Sequence, residues 1–394
     1  MSGRRYALVA GGGTAGHLQP ALAIAEALVS AGHDRGTIEF VGSTRGQDRI
    51  TLEGRGFPFT LLPGRGIVRS LRPRDLVANA GAVAGLAVAA VRGLAVVRRA
   101  RPQVVVSVGG YASLAASVAA VLARVPLVLV NVDAVPGAAN RLLGRYARAS
   151  AVGWEGSSLP RAVVTGTPVR PEIAGVGRSP DEQRVARRQL GLPVDRPTVA
   201  VFGGSLGAHR INQAVLDLAD RWTDRDDRSV YHVVGRREWD EALRTGRGGD
   251  AGEEAEGSAP PGLALVRVEY QDRMDQVYAA ADVVVCRAGA MTVAELAVAG
   301  VPSILVPLPG APGDHQTANA RVLEGAGAAV LLPDDRCDAA TLGTALDGLL
   351  ADRGLLAAMG DAASSLGRPD AAAAGARVVE ANADPVPTAP RAAS

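Results

Sequence analysis

Lysine is missing from this chain, so arginine carries all 42 of its basic charges. The absence excludes a Walker phosphate loop, whose glycine run ends in Lys-Ser or Lys-Thr. The bias itself reads as genome composition rather than function. Aromatic residues are scarce as well, at 3 % against 47 % hydrophobic, so the cores must be built from small aliphatic side chains. Neither charge sign is in excess. Forty acidic residues leave a net charge of +2, too little for general nucleic-acid binding, although a local arginine cluster still counts. The two cysteines, Cys286 and Cys337, lie far apart without metal-ligand spacing and read as reduced thiols of a cytosolic protein. The apolar run 76–97 contains Asn79 and Arg92 and is rich in Ala and Gly, which makes it weak as a membrane-spanning helix. Met1 to Arg5 leads into a strand and a glycine loop rather than a signal peptide.

What is present is a repeated pattern. At 394 residues the chain suggests two or three domains. Tyr6 to Ala10 reads as a buried strand, Gly11-Gly12-Gly13-Thr14-Ala15-Gly16-His17 as a glycine turn, and Leu18, Leu22, Ala25 and Val29 as the apolar face of a helix. Glycines there let backbone approach a ligand and leave amides free at the helix start. His17 reads either as a packing or capping residue or as a catalytic base, since histidine ordinarily titrates near neutral pH. Further strands are expected at 37–41, 57–62, 104–108 and 126–130, with Gly109-Gly110-Tyr111 forming a second tight turn. The arginine-rich loop with Arg65, Arg69, Arg72 and Arg74 precedes the apolar run 76–97. That run reads equally as a helix lying on an anionic membrane and as a buried α/β helix.

The second half repeats the first. Thr198 to Phe202 is a strand, and Gly203-Gly204-Ser205-Leu206-Gly207 turns into a helix, roughly 190 residues after the first such turn. Residues 241–262 read as a mobile loop. Strand 283–285 leads through Arg287-Ala288-Gly289 to a helix in which Thr292 and Glu295 have the spacing of a capping box. Glu295 therefore reads either as a cap or as an acceptor for a sugar diol. The fold class expected is α/β, with two Rossmann-like domains facing each other across a cleft that holds the site. The expected division is an N-terminal domain at 1–165, a linker at 166–180 and a C-terminal domain at 181–365. A helix at 366–383 would pack back on the N-terminal domain, and 384–394 would form a disordered tail.

The segments Gly11–Pro20, Gly109–Ser113, Ala134–Asn140, Gly166–Arg170, Gly203–Asn212, Arg287–Gly300 and Asp314–Ala320, in this order, resemble the MurG family of peptidoglycan N-acetylglucosaminyltransferases, which have the GT-B fold. The resemblance implies inverting, metal-independent transfer of GlcNAc from UDP-GlcNAc to the C4 hydroxyl of MurNAc in lipid I. The place of action would be the cytoplasmic face of the cell membrane, with no cofactor and no nucleic-acid partner. It implies His17 as the base. Donor contacts would come from Thr14, Ala15, Gly16, Arg170, Gly204, Ser205, Leu206, Gly207, Ala290, Met291 and Thr292. Tyr270 and Gln271 would face uracil, and Glu295 would hold the ribose hydroxyls. Gln316 and Asn319 would hold GlcNAc, with helix capping or surface solvation as their alternative roles. Gly13, Gly109, Gly110, Tyr111, Asn131 and Asp133 would face the acceptor. The backbone amides at the second glycine turn and the Arg170 cation suit a leaving diphosphate.

The chain departs from the family at one place. Where His-Glu-Gln-Asn is common before Ala-Val-Pro-Gly, it has Val130, Asn131, Val132 and Asp133; Thr167 also replaces a usual Asn, and Gln271 an aliphatic residue. That histidine is then dispensable, or Asn131 and Asp133 replace its contacts, or the acceptor is another lipid or natural product. Asp133 reads as a loop cap or a second acid–base group. A non-catalytic UDP-sugar-binding scaffold is the remaining reading.

Overall fold

The computed structural model describes residues 4–12, 15–44, 48–63, 73–204, 207–240 and 261–385, with the side chains of 15, 73–84, 86, 87 and 111 excepted. Gly13, Thr14, Ser205 and Leu206 therefore lie outside the described residues, as do the loop 64–72 with three of its arginines, most of the loop 241–262, and the tail from 386. The chain forms two compact units, Met1–Val169 with Asp370–Ser394, and Arg170–Pro369. The second unit begins at Arg170, inside the stretch read as a linker.

In the first unit the described residues form a seven-stranded, all-parallel sheet. Its strands are β1 (Ala7–Gly11), β2 (Ile38–Ser43), β3 (Phe59–Leu62), β4 (Val104–Gly109), β5 (Leu127–Asn131), β6 (Ala149–Val152) and β7 (Ala162–Val164), in the order β3-β2-β1-β4-β5-β6-β7. Strands covered by helices on both faces have no polar side to alternate with. Ala7, Leu8, Val9 and Ala10 are accordingly all fully buried. The helices are α1 (Ala15–Ser30), α2 (Asp48–Glu53), α3 (Pro73–Ala100), α4 (Tyr111–Leu122) and α5 (Ala138–Leu143).

Two local readings shift. The stripe that α1 buries is Leu18, Ala21, Leu22, Ile24, Ala25 and Leu28, with Val29 only half-buried. The sequence after Pro136 reads as a helix to about Arg148, but α5 stops at Leu143, and β6, too short to read in advance, follows. Small side chains allow close helix packing here. A Cβ on Gly93 of α3 would lie 3.1 Å from the Ala115 carbonyl oxygen, and Ala115, Ala116, Ala119 and Ala120 of α4 are buried. Along α3, Ala89, Val96 and Val97 are buried while Val88 and Val91 are exposed. No helix among the described residues is long and apolar enough to cross a membrane.

The second unit contains α6 (Pro171–Ala174), α7 (Pro180–Gln189), α8 (His209–Arg221), α9 (Met274–Ala280), α10 (Ala290–Ala299), α11 (His315–Gly325), α12 (Ala339–Ala351) and α13 (Arg353–Leu366). Its six-stranded parallel sheet, counted over described residues, runs β10-β9-β8-β11-β12-β13. The strands are β8 (Thr198–Phe202), β9 (Ser229–Val233), β10 (Ala264–Val268), β11 (Val283–Cys286), β12 (Ser303–Leu305) and β13 (Ala329–Leu331). Cys286 and Cys337 are both buried and free. The last helix, α14 (Ala371–Asn382), belongs to the first unit and lies on α1. Gly375 would place a Cβ 3.3 Å from Ile24 Cγ1, His33 Nε2 is 2.9 Å from Glu380 Oε1, and the Asp384 amide donates to the Gln103 carbonyl at 3.0 Å.

The capping-box reading of Thr292 and Glu295 is corrected. Helix α10 starts at Ala290 with Gly289 as its N-cap and no side-chain capping bond, which puts Thr292 inside the first turn and Glu295 mid-helix. A capping box does form at α7, where Ser179 and Glu182 exchange the two bonds and Pro180 fills the first helical position. Gly300 ends α10 in the left-handed conformation, at φ +65°.

Candidate active site

In each sheet the strand order reverses once, between β1 and β4 in the first unit and between β8 and β11 in the second. Ligands of open α/β sheets bind outside the carboxyl ends of the strands at such a switch point. All four flanking strands end in segments singled out from the sequence: Gly11–Gly12, Gly109–Gly110, Gly203–Gly207 and Arg287–Gly289.

In the first unit, His17 sits half-buried in the first turn of α1. Its ring lies against the β4 turn. A Cβ on Gly109 would fall 2.5 Å from His17 Cδ2 and 2.8 Å from Nε2, and one on Gly110 would fall 2.3 Å from the Gly12 carbonyl oxygen. Both glycines have positive φ, at +116° and +85°. Behind Gly12 stands Asp48, a residue that no motif or spacing singles out. It is buried at the start of α2, accepts the Ser43 amide at 2.8 Å through Oδ2, and would meet a Cβ on Gly12 at 2.0 Å. Gly12 is thus packed between Asp48 and Gly110, beside the turn that the His17 ring touches. If His17 is the base that the family resemblance implies, Gly109→Ala is expected to displace the imidazole and cut turnover at least tenfold, which steady-state kinetics measures.

Asn131 is engaged within its own loop, whereas Asp133 is partly exposed. Asn131 is buried, donating to the Asp133 carbonyl at 2.6 Å and accepting from Asn140 Nδ2 at 3.1 Å, so both ends of its amide are used within the loop. The Thr167 hydroxyl donates to the Val132 carbonyl at 3.2 Å, and Val130 is buried at the end of β5. The departure from the family pattern is therefore a self-braced loop. Only Asp133 among these residues is partly exposed along with the backbone turn that follows it. Tyr111 begins α4, and Ala15 begins α1.

In the second unit, Glu295 and Arg170, 125 positions apart, face each other: Arg170 Nε lies 3.6 Å from Glu295 Oε1. The Tyr278 hydroxyl donates to the other oxygen, Oε2, at 2.8 Å. Burial pushes the Glu295 carboxyl above the usual range, and the Arg170 cation and the Tyr278 hydrogen bond pull it back in part. Tyr278 is fully buried and packs edge-on against Phe202 at the end of β8, which joins Glu295 to the strand leading into the glycine turn. Burial first, and the Glu295 charge second, hold the Tyr278 hydroxyl well above its ordinary range. Tyr278 sits 17 positions before Glu295 on another helix, with no local spacing to announce it.

The turn after β8 is tight. Gly204 and Gly207 have φ of +86° and +83°, and the Gly207 amide donates to the Gly204 carbonyl at 2.9 Å. A Cβ on Gly203 would fall 2.4 Å from the Ala208 nitrogen. Ala290, Met291 and Thr292 form the partly exposed first turn of α10, where backbone amides have no partner within the helix. Tyr270 is exposed, and the Arg236 guanidinium stands 4.4 Å over its ring, a cation the sequence reading did not include. The Gln271 side chain is occupied, donating to the Tyr231 hydroxyl at 2.8 Å and accepting the Arg273 amide at 2.9 Å. Gln316 Oε1 accepts the Leu308 amide at 2.9 Å, so the oxygen faces its own loop. Asn319 is corrected: it is fully buried, donates to the Ala288 carbonyl at 3.2 Å, and supports the β11 turn from beneath.

Beneath the glycine turn lies His232, fully buried on β9, with Nε2 2.9 Å from Asn212 Oδ1 and Nδ1 without a hydrogen bond. Asn212 Nδ2 donates to the Val234 carbonyl at 2.9 Å and to Glu238 Oε2 at 2.8 Å, so its oxygen accepts and His232 Nε2 carries the proton. Burial, and then the nearby Arg267 cation, depress the His232 pKa from 6.5 to about 3. Between those values the unfolded chain binds a proton that the folded chain refuses. Stability is complete above the unfolded pKa and falls with falling pH, by at most about 1.4 kcal/mol per pH unit from this group. Thermal melts between pH 6.5 and 4 should show a shallower acid loss in His232→Gln than in the parent.

Comparison with known proteins gives the following. The model for the glycosyltransferase family 28 N-terminal domain matches residues 7–152, and that for the family 28 C-terminal domain matches residues 198–374. A UDP-N-acetylglucosamine–N-acetylmuramyl-(pentapeptide) pyrophosphoryl-undecaprenol N-acetylglucosamine transferase of Desulforudis audaxviator is 38 % identical over 369 residues, 92 % of this chain and 95 % of that protein. A protein of the same name from a Nocardioides species is 41 % identical over 374 residues, 94 % of this chain and 96 % of that one. Among solved structures, MurG of Acinetobacter baumannii aligns with a TM-score of 0.72 at 25 % identity, over 96 % of this chain and 99 % of that chain. The calicheamicin glycosyltransferase CalG4 shares the fold, with a TM-score of 0.63 at 18 % identity over 97 % and 100 % of the two chains.

Proposed function

We propose, for a chain that belongs to the MurG family of N-acetylglucosaminyltransferases within glycosyltransferase family 28, a transfer in which the second unit binds the sugar nucleotide and the first presents the lipid-linked acceptor. The enzyme moves GlcNAc from UDP-GlcNAc to the C4 hydroxyl of MurNAc in lipid I and so forms lipid II for peptidoglycan. In the step itself the acceptor oxygen forms a bond to the anomeric carbon from the face opposite the leaving group. The bond from that carbon to the β-phosphate oxygen breaks, its electron pair leaves with UDP, and the hydroxyl proton passes to His17. Inversion follows from attack opposite the leaving group.

The residues divide the work. Charge that develops on the departing diphosphate is met by the amides of the turn from Gly203 to Gly207 and by Arg170. Glu295 accepts the ribose hydroxyls and is kept in place by Tyr278. Tyr270 offers its ring to uracil, and Gln316 its NH2 to the sugar. Ala290, Met291 and Thr292 contribute the dipole end of α10. In the first unit, Gly109 and Gly110 lie beside His17 and accommodate the acceptor diphosphate. The observation that carries this reading is the pairing of Arg170 with Glu295, whose other oxygen is held by Tyr278, packed against Phe202 at the end of β8.

A polyprenyl diphosphate acceptor places the enzyme on the cytoplasmic face of the cell membrane as a peripheral protein. The self-braced loop at Val130–Asp133 bears on acceptor choice, so the test offers lipid I and other lipid and glycoside acceptors side by side. Purified protein and labelled UDP-GlcNAc should yield labelled lipid II. Transfer to another acceptor with none to lipid I would overturn the acceptor assignment. Binding of UDP-GlcNAc without any transfer would leave a scaffold.

A further inference from the structure

The two side chains assigned to the two halves of the donor, the guanidinium for the diphosphate and the carboxylate for the ribose, are bound to each other in this structure. Arg170 Nε is 3.6 Å from Glu295 Oε1, and Arg170 Nη1 donates to the Asp272 carbonyl at 3.3 Å, in the segment that begins with Tyr270 and Gln271. We propose that Arg170 is a two-position residue, parked on the nucleoside side of the site until a ligand with both a sugar diol and a diphosphate moves it. The diol then takes the carboxylate, and the diphosphate takes the guanidinium. The proposal rests on the donor-site reading above and adds to it a source of selectivity for nucleoside diphosphates over nucleosides.

The arrangement around Glu295 leaves little choice. Tyr278 from α9 occupies Oε2, and Arg170 from the start of α6 faces Oε1. A diol must therefore compete with the guanidinium for Oε1. The two partners differ in their access to water. The Glu295 side chain is 11 % exposed and that of Arg170 is 35 % exposed. A departing guanidinium is readily hydrated, but a carboxylate left behind is not. A diphosphate alone removes the cation from a carboxylate that water hardly reaches. A nucleoside alone displaces the cation without offering it an anion. Only a ligand with both groups satisfies both side chains, so the halves bind better joined than their separate affinities predict. Held at one end by the fixed backbone before Pro171, Arg170 can make this move by side-chain rotation.

The test is calorimetric titration of uridine and of UDP into the full chain as wild type, Arg170→Met, Glu295→Gln and the double variant, at pH 8. Arg170→Met should weaken UDP by at least about tenfold yet strengthen uridine severalfold, because the ribose no longer competes with a cation. Adding Glu295→Gln should remove the gain for uridine. Uridine affinity that is unchanged or weakened in Arg170→Met would overturn the exchange while leaving the donor site in place. UDP affinity indifferent to every variant would overturn the donor-site reading itself. Melting temperatures of the four proteins separate lost binding from lost folding.

Discussion

His17→Asn is expected to lower turnover by about 10²–10⁴-fold, the usual range for removing a general base, with UDP affinity unchanged. The expectation comes from location. His17 belongs to the first unit, where its ring is fixed against Gly109, whereas Arg170, Glu295 and the glycine turn after β8 belong to the second. Asparagine keeps polarity and approximate size but cannot take a proton at neutral pH, so the variant separates chemistry from packing. Single-turnover transfer measured beside UDP titration reads the two effects apart. Full turnover in His17→Asn would remove the residue from the proton-transfer step, and Asp133, partly exposed in the loop after β5, would become a group to test.

The second large effect is at Glu295. Replacement by alanine is expected to raise the donor KM by about 10–100-fold, with a smaller change in kcat, since hydrogen bonds to a charged group are worth about 1.5–3 kcal/mol. Protonation should mimic the loss. Burial raises the Glu295 pKa above the ordinary carboxylate range, so donor affinity should decline at a higher pH than an exposed glutamate would require. Stability runs in the opposite direction. Because the folded pKa is the higher one, this group contributes most to stability at low pH and its contribution is lost as pH rises through that value. Glu295→Gln should accordingly leave the melting temperature at pH 8 unchanged or higher while it weakens UDP-GlcNAc binding. A fall in melting temperature that matches the loss of binding would show the residue to be structural.

How far the sequence could be read depended on whether a signal was local. The strands flanking both switch points were legible because parallel strands buried on both faces make unbroken apolar runs, as in Leu8–Ala10 and Val283–Val285, and each run ends in glycine. Short strands with mixed sequence were not legible, such as β6 at Ala149–Val152 and β13 at Ala329–Leu331. The Thr292–Glu295 spacing misled because spacing alone does not show where a helix starts. Gly289 can take the N-cap position in extended backbone without a side-chain bond, and this moves the start two residues back. Asn319 and Asn131 carried ligand-like chemistry in the right segments, but burial assigned their amides to backbone carbonyls. Asp48 and Tyr278, which hold Gly12 and Glu295 in place, act across distant parts of the chain, and no periodicity records that. The pairing of Arg170 with Glu295 was foreshadowed only through the family resemblance, which named both residues for one ligand.

The most direct measurement is a structure of the protein with UDP-GlcNAc bound. The account predicts the ribose hydroxyls on Glu295 Oε1, the diphosphate against the turn from Gly203 to Gly207 with Arg170 turned away from Glu295, and uracil beside Tyr270. A nucleotide bound elsewhere, or one whose ribose leaves Glu295 still paired with Arg170, would contradict it.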